Sequence, residues 1–141
     1  VKSKPWVYNP RYMNTKETGA LGESIASRFL AQKGFLILGM NYRKPWGEID
    51  IIAERAGIVR FVEVKAVTRE RIEIKGSVSR EMEEYRPEEQ VHPQKLKKIC
   101  RTAETYMIET HDQREFQIDV VAIFLNPSKK QAVCRLYENV L

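Results

Sequence analysis

Sulfur and imidazole are scarce in this chain, which carries two cysteines and two histidines among 141 residues. Cys100 and Cys134 occupy apolar positions of a predicted helix and a predicted strand, with no zinc-type spacing and no disulfide framework. Reduced, structural thiols are expected. His92 and His111 lie far apart without ligand spacing, so each is expected at the surface or at a helix cap. Long apolar runs are missing too. No segment is long enough to span a bilayer, and the basic, aromatic N-terminus lacks the apolar stretch of a signal peptide. A cytoplasmic protein with no membrane partner is expected.

What is present fits one domain with a single core, since 43% of the residues are apolar. Residues 1–14 form a basic and aromatic segment ahead of a domain over 15–141. The net charge of +5 and the pI near 9.2 favour polyanionic partners, although charge alone is a weak indicator. Lys2, Lys4 and Arg11 are mixed with Trp6, Tyr8 and Tyr12 in the first segment, a composition that suits a nucleic-acid-binding arm or a plain terminal segment. No regular element is expected there.

The stretch Gly47 to Lys65 reads as a β-hairpin. Two runs rich in Ile and Val meet at Arg55-Ala56-Gly57, where Gly57 can take the positive φ of a tight turn. With Arg55 and Ile58 flanking the turn, Ile51 falls opposite Val62 and Ile49 opposite Val64. That register sets Asp50 across from Glu63 and Glu48 across from Lys65. Opposed carboxylates with Cβ atoms about 5 Å apart repel each other unless a cation lies between them. The charges line either a solvated hairpin face or a site for a hard divalent ion such as Mg²⁺ or Mn²⁺, which takes oxygen ligands. Val59, Phe61 and Ile52 share that face, so it is not simply solvated.

Ahead of the hairpin, Leu21, Ile25, Ala26, Phe29 and Leu30 repeat at the helical period, predicting a helix from Thr18 to Lys33 stopped by Gly34. Gly22 lies in the apolar face and implies close approach to a sheet. Glu23 borders that face. It either points along the sheet toward the hairpin or serves as an acid favoured in an early helical turn. Phe35 to Met40 reads as a central strand. After the hairpin, residues 68–91 are polar and acidic and read as a mobile loop able to close over a neighbouring site.

His92-Pro93 opens a second helix with an apolar stripe at Leu96, Ile99, Cys100, Ala103, Tyr106 and Met107. Gln94, Lys95 and Lys98 lie in its first turns, either as phosphate contacts or as an ordinary solvated face. Phe116 to Leu125 reads as a buried strand and Ala132 to Tyr137 as the last one. Asp119 inside the buried strand needs a partner, so it is either ion-paired structurally, the favoured reading, or a spare member of the site.

The G-x-x-G-E at Gly19 to Glu23, the G-E-I-D at Gly47 to Asp50, the F-V-E-V-K at Phe61 to Lys65, the Lys-rich helix and the F-x-x-D-V-V strand come in a definite order. In these motifs the chain resembles the YraN-like family of predicted endonucleases, within the PD-(D/E)XK restriction-endonuclease-like superfamily. It is also similar to archaeal Holliday junction resolvases. Asp50 stands here in an I-D rather than a P-D context, and Gln117 stands where many relatives carry arginine. The resemblance implies an α/β fold, a restriction-endonuclease-like α/β/α core with a mixed central sheet. It implies a metal-dependent nuclease acting on DNA, on branched or single-stranded structures among others, with a non-catalytic nucleic-acid-binding protein as the alternative.

Within that reading Asp50, Glu63 and the Val64 carbonyl hold Mg²⁺ or Mn²⁺. Lys65 orients the water or stabilises the pentavalent phosphorus, Glu23 completes the metal shell or takes a proton through water, and Glu48 supports Lys65. Whether a homodimer forms, as in resolvases, is left open.

Overall fold

The structure, a computed structural model, describes residues 6–7, 15–68, 86–126 and 130–141. Among these residues six strands and three helices follow one another as β1 (Trp6–Val7), α1 (Thr15–Gln32), β2 (Leu36–Lys44), β3 (Gly47–Arg55), β4 (Ile58–Thr68), α2 (Pro87–Gln90), α3 (Pro93–Glu109), β5 (Phe116–Asn126) and β6 (Gln131–Tyr137). The sheet order is β1-β6-β5-β4-β3-β2. Only β4 and β5 run parallel, as the intervening helical crossover requires, so the sheet is mixed.

Alternation along the strands divides the core into two layers. Ile51, Ala53 and Val62 pack with Ile25, Ala26, Phe29 and Leu30 of α1. Ile52, Val59 and Phe61 turn the other way and pack with Ile99, Ala103 and Met107 of α3. This is the α/β/α arrangement with a mixed sheet of a restriction-endonuclease-like core. Phe61 meets Tyr106 edge-on at 5.6 Å between ring centroids, a favoured aromatic geometry that fixes α3 over the hairpin. A Cβ on Gly22 would lie 3.5 Å from Ile123, so α1 does approach the sheet closely there. Gly34, with φ +90, ends α1 as expected.

Several expectations need correction. The apolar run before the hairpin is not a central strand: β2 lies at the sheet edge, and its Leu36, Leu38 and Met40 are exposed. An apolar run reports hydrophobicity but not how many neighbours a strand has. Within the first segment, Trp6 and Val7 pair with Ala132 and Gln131 of β6, so a short regular element does occur there. The rest of that segment lies outside the described residues. So do residues 69–85 of the predicted loop, whose end instead contains the one-turn helix α2. The strand expected to begin at Ala132 starts at Gln131.

Asp119 is structural, as anticipated. It is fully buried and accepts hydrogen bonds from Arg60 Nη1 at 3.1 Å, Gln117 Nε2 at 2.8 Å and the Asn139 N–H at 2.8 Å. Arg60 also reaches Glu138 at 2.8 Å. Every buried charge in this group therefore has a partner, and the C-terminal residues are tied to β4 and β5.

Candidate active site

The hairpin turn holds both Ala56 and Gly57 at positive φ, the backbone pattern of a tight two-residue connection. From there the β3–β4 ladder runs Arg55–Ile58, Glu54–Val59, Ala53–Arg60, Ile52–Phe61 and Ile51–Val62, the register read from the sequence. Beyond Ile51 and Val62 the pairing stops. Asp50 with Glu63 and Ile49 with Val64 are therefore not ladder partners, contrary to expectation. The reason is local. Ile49 joins the layer under α3 although Ile51 faces α1, so strict alternation breaks at Asp50. On the neighbouring strand Asn41, between the Tyr42–Ile49 and Met40–Ile51 pairs, has φ +53 and marks the same irregularity. In place of a ladder bond, the Val64 N–H donates to Asp50 Oδ2 at 2.8 Å.

Asp50 thus sits where the two strands part, between the helical layers. It lines two cavities, one of about 430 Å³ on the α3 side and one of about 260 Å³ beside α1. Glu63 and Lys95 line both as well, so the three side chains form the wall between them. Burial, and next the charge of Glu63, push the Asp50 carboxyl up to about 7, with smaller pushes from Glu23 and Glu48. The Val64 N–H works the other way but does not prevail. Glu63 is buried and accepts an ion pair from Lys95 Nζ at 2.5 Å. Burial alone would lower the Lys95 pKa, yet the bond to Glu63 and the charges of Glu63, Asp50 and Glu48 raise it above the usual lysine value.

The other residues singled out from sequence fall into place unevenly. Glu23 lines the smaller cavity with Asp50, Glu63 and Val64, which places it beside the hairpin acids. Lys98 lines the larger cavity, while Gln94 is exposed and lines neither; its N–H caps against His92 Nδ1 at 3.1 Å. His92 is therefore the N-cap of α3. Lys65 is half-buried on β4 and lines neither cavity. Glu48 makes its ion pair with Arg43, at 3.3 Å across β2 and β3, not with Lys65.

Sequence reasoning gave no part to Trp46, Arg43 or Lys44, which also line the larger cavity. The Lys44-Pro45-Trp46 turn immediately before Gly47 was the available signal. It also undervalued Lys95, because a helical lysine thirty-two positions from Glu63 carries no mark of proximity in the sequence.

The donor set fits a hard divalent cation. Two carboxylates, one of them pushed up to about 7 by burial and then by the charge of the other, are an arrangement that Mg²⁺ or Mn²⁺ would relieve, and such ions keep water as their remaining ligands. Among the described residues no group of three or more His, Cys, Asp or Glu side chains converges, so the protein would supply two acids and the Val64 carbonyl.

Fold and site together define an α/β protein of restriction-endonuclease-like core, with an acid pair, Glu63 buried and Asp50 half-buried, opening onto a lysine-lined cleft. Residues 22–123 match the model of the family described as "Uncharacterised protein family UPF0102". The chain is 38% identical over 116 residues to a UPF0102 protein of Dictyoglomus turgidum, covering 82% of this chain and 88% of that one. It is 34% identical over 122 residues to a UPF0102 protein of Campylobacter jejuni, covering 86% and 91%. A UPF0102 protein of Clostridium botulinum is 35% identical over 126 residues, covering 88% and 93%. The chain belongs to the UPF0102 family, the YraN family of the sequence resemblance.

Proposed function

We propose that the protein is a metal-dependent nuclease that hydrolyses phosphodiester bonds in DNA. The reading rests on one observation: Asp50 and Glu63 share a wall between two cavities with Lys95, where burial and the neighbouring acid push the Asp50 carboxyl up to about 7. Asp50, Glu63 and the Val64 carbonyl would hold Mg²⁺ or Mn²⁺. Bound there, the ion supplies polarisation of a phosphoryl oxygen and a lowered pKa for an attacking water. Lys95 and Lys98 bind the phosphate and offset its developing charge. Glu23, on the wall of the smaller cavity, is assigned the proton of the attacking water. Lys65 keeps only the sequence-based assignment to the same charge.

The test is a cleavage panel of duplex, single-stranded, flap and four-way DNA with Mg²⁺ or Mn²⁺, run beside Asp50→Ala and Glu63→Ala. Cleavage by the wild type should fall by about a hundredfold or more in each variant. Equal cleavage by wild type and both variants rejects the assignment.

A second reading is favoured by the Lys95–Glu63 ion pair, in which a lysine already neutralises the acids. On it the protein binds nucleic acid without turnover. Tight DNA binding with no cleavage of any substrate, under either metal, selects this reading.

A further inference from the structure

Trp46 stands in the turn between β2 and β3 and forms part of the wall of the larger cavity, whose other members include Arg43, Lys44 and Lys98 beside the acid pair. A tryptophan at such a place is most often core, but this one is not. It belongs to none of the hydrophobic clusters among the described residues. Nor is it kept for its polar tip, since the indole Nε1 is buried without a hydrogen-bond partner among the described residues. Buried tryptophans usually find one. What holds the ring is the Arg101 guanidinium of α3, 4.2 Å from the ring centroid. With Arg101 over one face, the side chain contributes aromatic surface to a cavity walled mainly by charged residues, with Pro45, Gly47 and Ile99 as its other uncharged members.

We propose that Trp46 is a stacking platform for an unpaired base, and that the larger cavity takes one unpaired nucleotide of a DNA strand with its phosphate against Lys98 and Lys95. This rests on the nuclease reading and narrows its substrate to strands with an accessible base: single strands, flaps or frayed junctions. Chemistry and shape agree. Aromatic rings accept any base by its face, and lysines track the backbone without reading sequence. A cavity of about 430 Å³ is of the size that takes a small organic ligand rather than a duplex. A paired base keeps its faces inside the helix and cannot reach the ring unless it is flipped out.

The experiment uses the full chain with Trp6→Phe, which leaves Trp46 as the only tryptophan and its fluorescence as the signal. Oligothymidylate and a blunt duplex of equal length are titrated with divalent ions chelated, so that binding is read without cleavage. Single strand should quench Trp46 strongly and duplex weakly. In the parent chain Trp46→Leu should weaken single-strand binding roughly 5- to 100-fold, with duplex binding little changed, while Trp46→Phe should retain most of the affinity. Circular dichroism confirms that the variants are folded, and the comparison of single-strand with duplex quenching carries the test should Trp46→Leu not fold. Equal quenching by both substrates, or unchanged single-strand affinity in Trp46→Leu, overturns the proposal. Because cleavage plays no part in the readout, stacking can stand where the nuclease reading fails, and the reverse.

Discussion

Replacing Asp50 by asparagine isolates the electrostatic cost of the acid pair, because the amide oxygen can still accept the Val64 N–H bond. Asp50 has its pKa raised from 3.8 in the unfolded reference to about 7 in the fold. The folded state therefore binds more protons than the unfolded state between those values. Stability from this group is full below about pH 4 and is lost as pH rises through about 7, by about 4 kcal/mol at most. Asp50→Asn should then unfold at a higher temperature than wild type at pH 8, with the gap closing at pH 4. Magnesium should stabilise the wild type at pH 8 and leave the variant unmoved, since binding to the folded state alone is what raises stability. Thermal unfolding at the two pH values checks both statements. A variant less stable than wild type at pH 8 would mean that the acid pair is not strained.

At the scale of elements, the site depends on how closely α3 lies on the start of β3. A Cβ on Gly47 would come within 2.5 Å of Thr102 Oγ1 and 3.2 Å of the Lys98 carbonyl oxygen. The second contact is helix backbone and cannot swing aside. Gly47→Ala should therefore cost about 1–3 kcal/mol in urea unfolding. It should also lift the α3 end that carries Lys95 and Lys98, weakening nucleic-acid binding beyond what the loss of folded protein explains. Wild-type affinity in the folded fraction would show that the helix does not set the position of the two lysines.

The G-E-I-D motif marked this glycine without revealing its reason. The turn, the hairpin register from Arg55–Ile58 to Ile51–Val62, and both long helices were legible because each follows from local pattern. The parting of the strands at Asp50 was not, because it comes from packing Ile49 under α3 and from the left-handed Asn41 on another strand. Edge status for β2 was equally hidden, since strand order is decided by partners distant in sequence. Proximity of Lys95 to Glu63 is likewise created by the crossover through α3.

Over the whole molecule, 24 basic residues against 19 acidic ones give only a modest excess, so the distribution of charge matters more than its sum. Several cations of the cleft are already engaged: Arg43 by Glu48, Lys44 by Glu109 and Lys95 by Glu63. Lys98 lines the same cavity and makes no ion pair among the described residues. Salt dependence reads such differences, because a lysine that neutralises a phosphate displaces a condensed counterion, whereas one that stays with its internal acid displaces fewer. For single strands each such contact contributes about −0.7 to the slope of log K against log salt.

Lys98→Gln should therefore make the slope for oligothymidylate shallower by about 0.7. Lys97→Gln, one position earlier on α3 but facing a separate groove with Leu96 and Cys100, should leave the slope unchanged while altering net charge by the same amount. Binding measured across a range of potassium chloride concentrations supplies both slopes. Equal changes from the two substitutions would mean that the backbone is attracted by overall charge and follows no path through the cleft. A change confined to Lys98 would trace that path past the acid pair, which no measurement of net affinity could do.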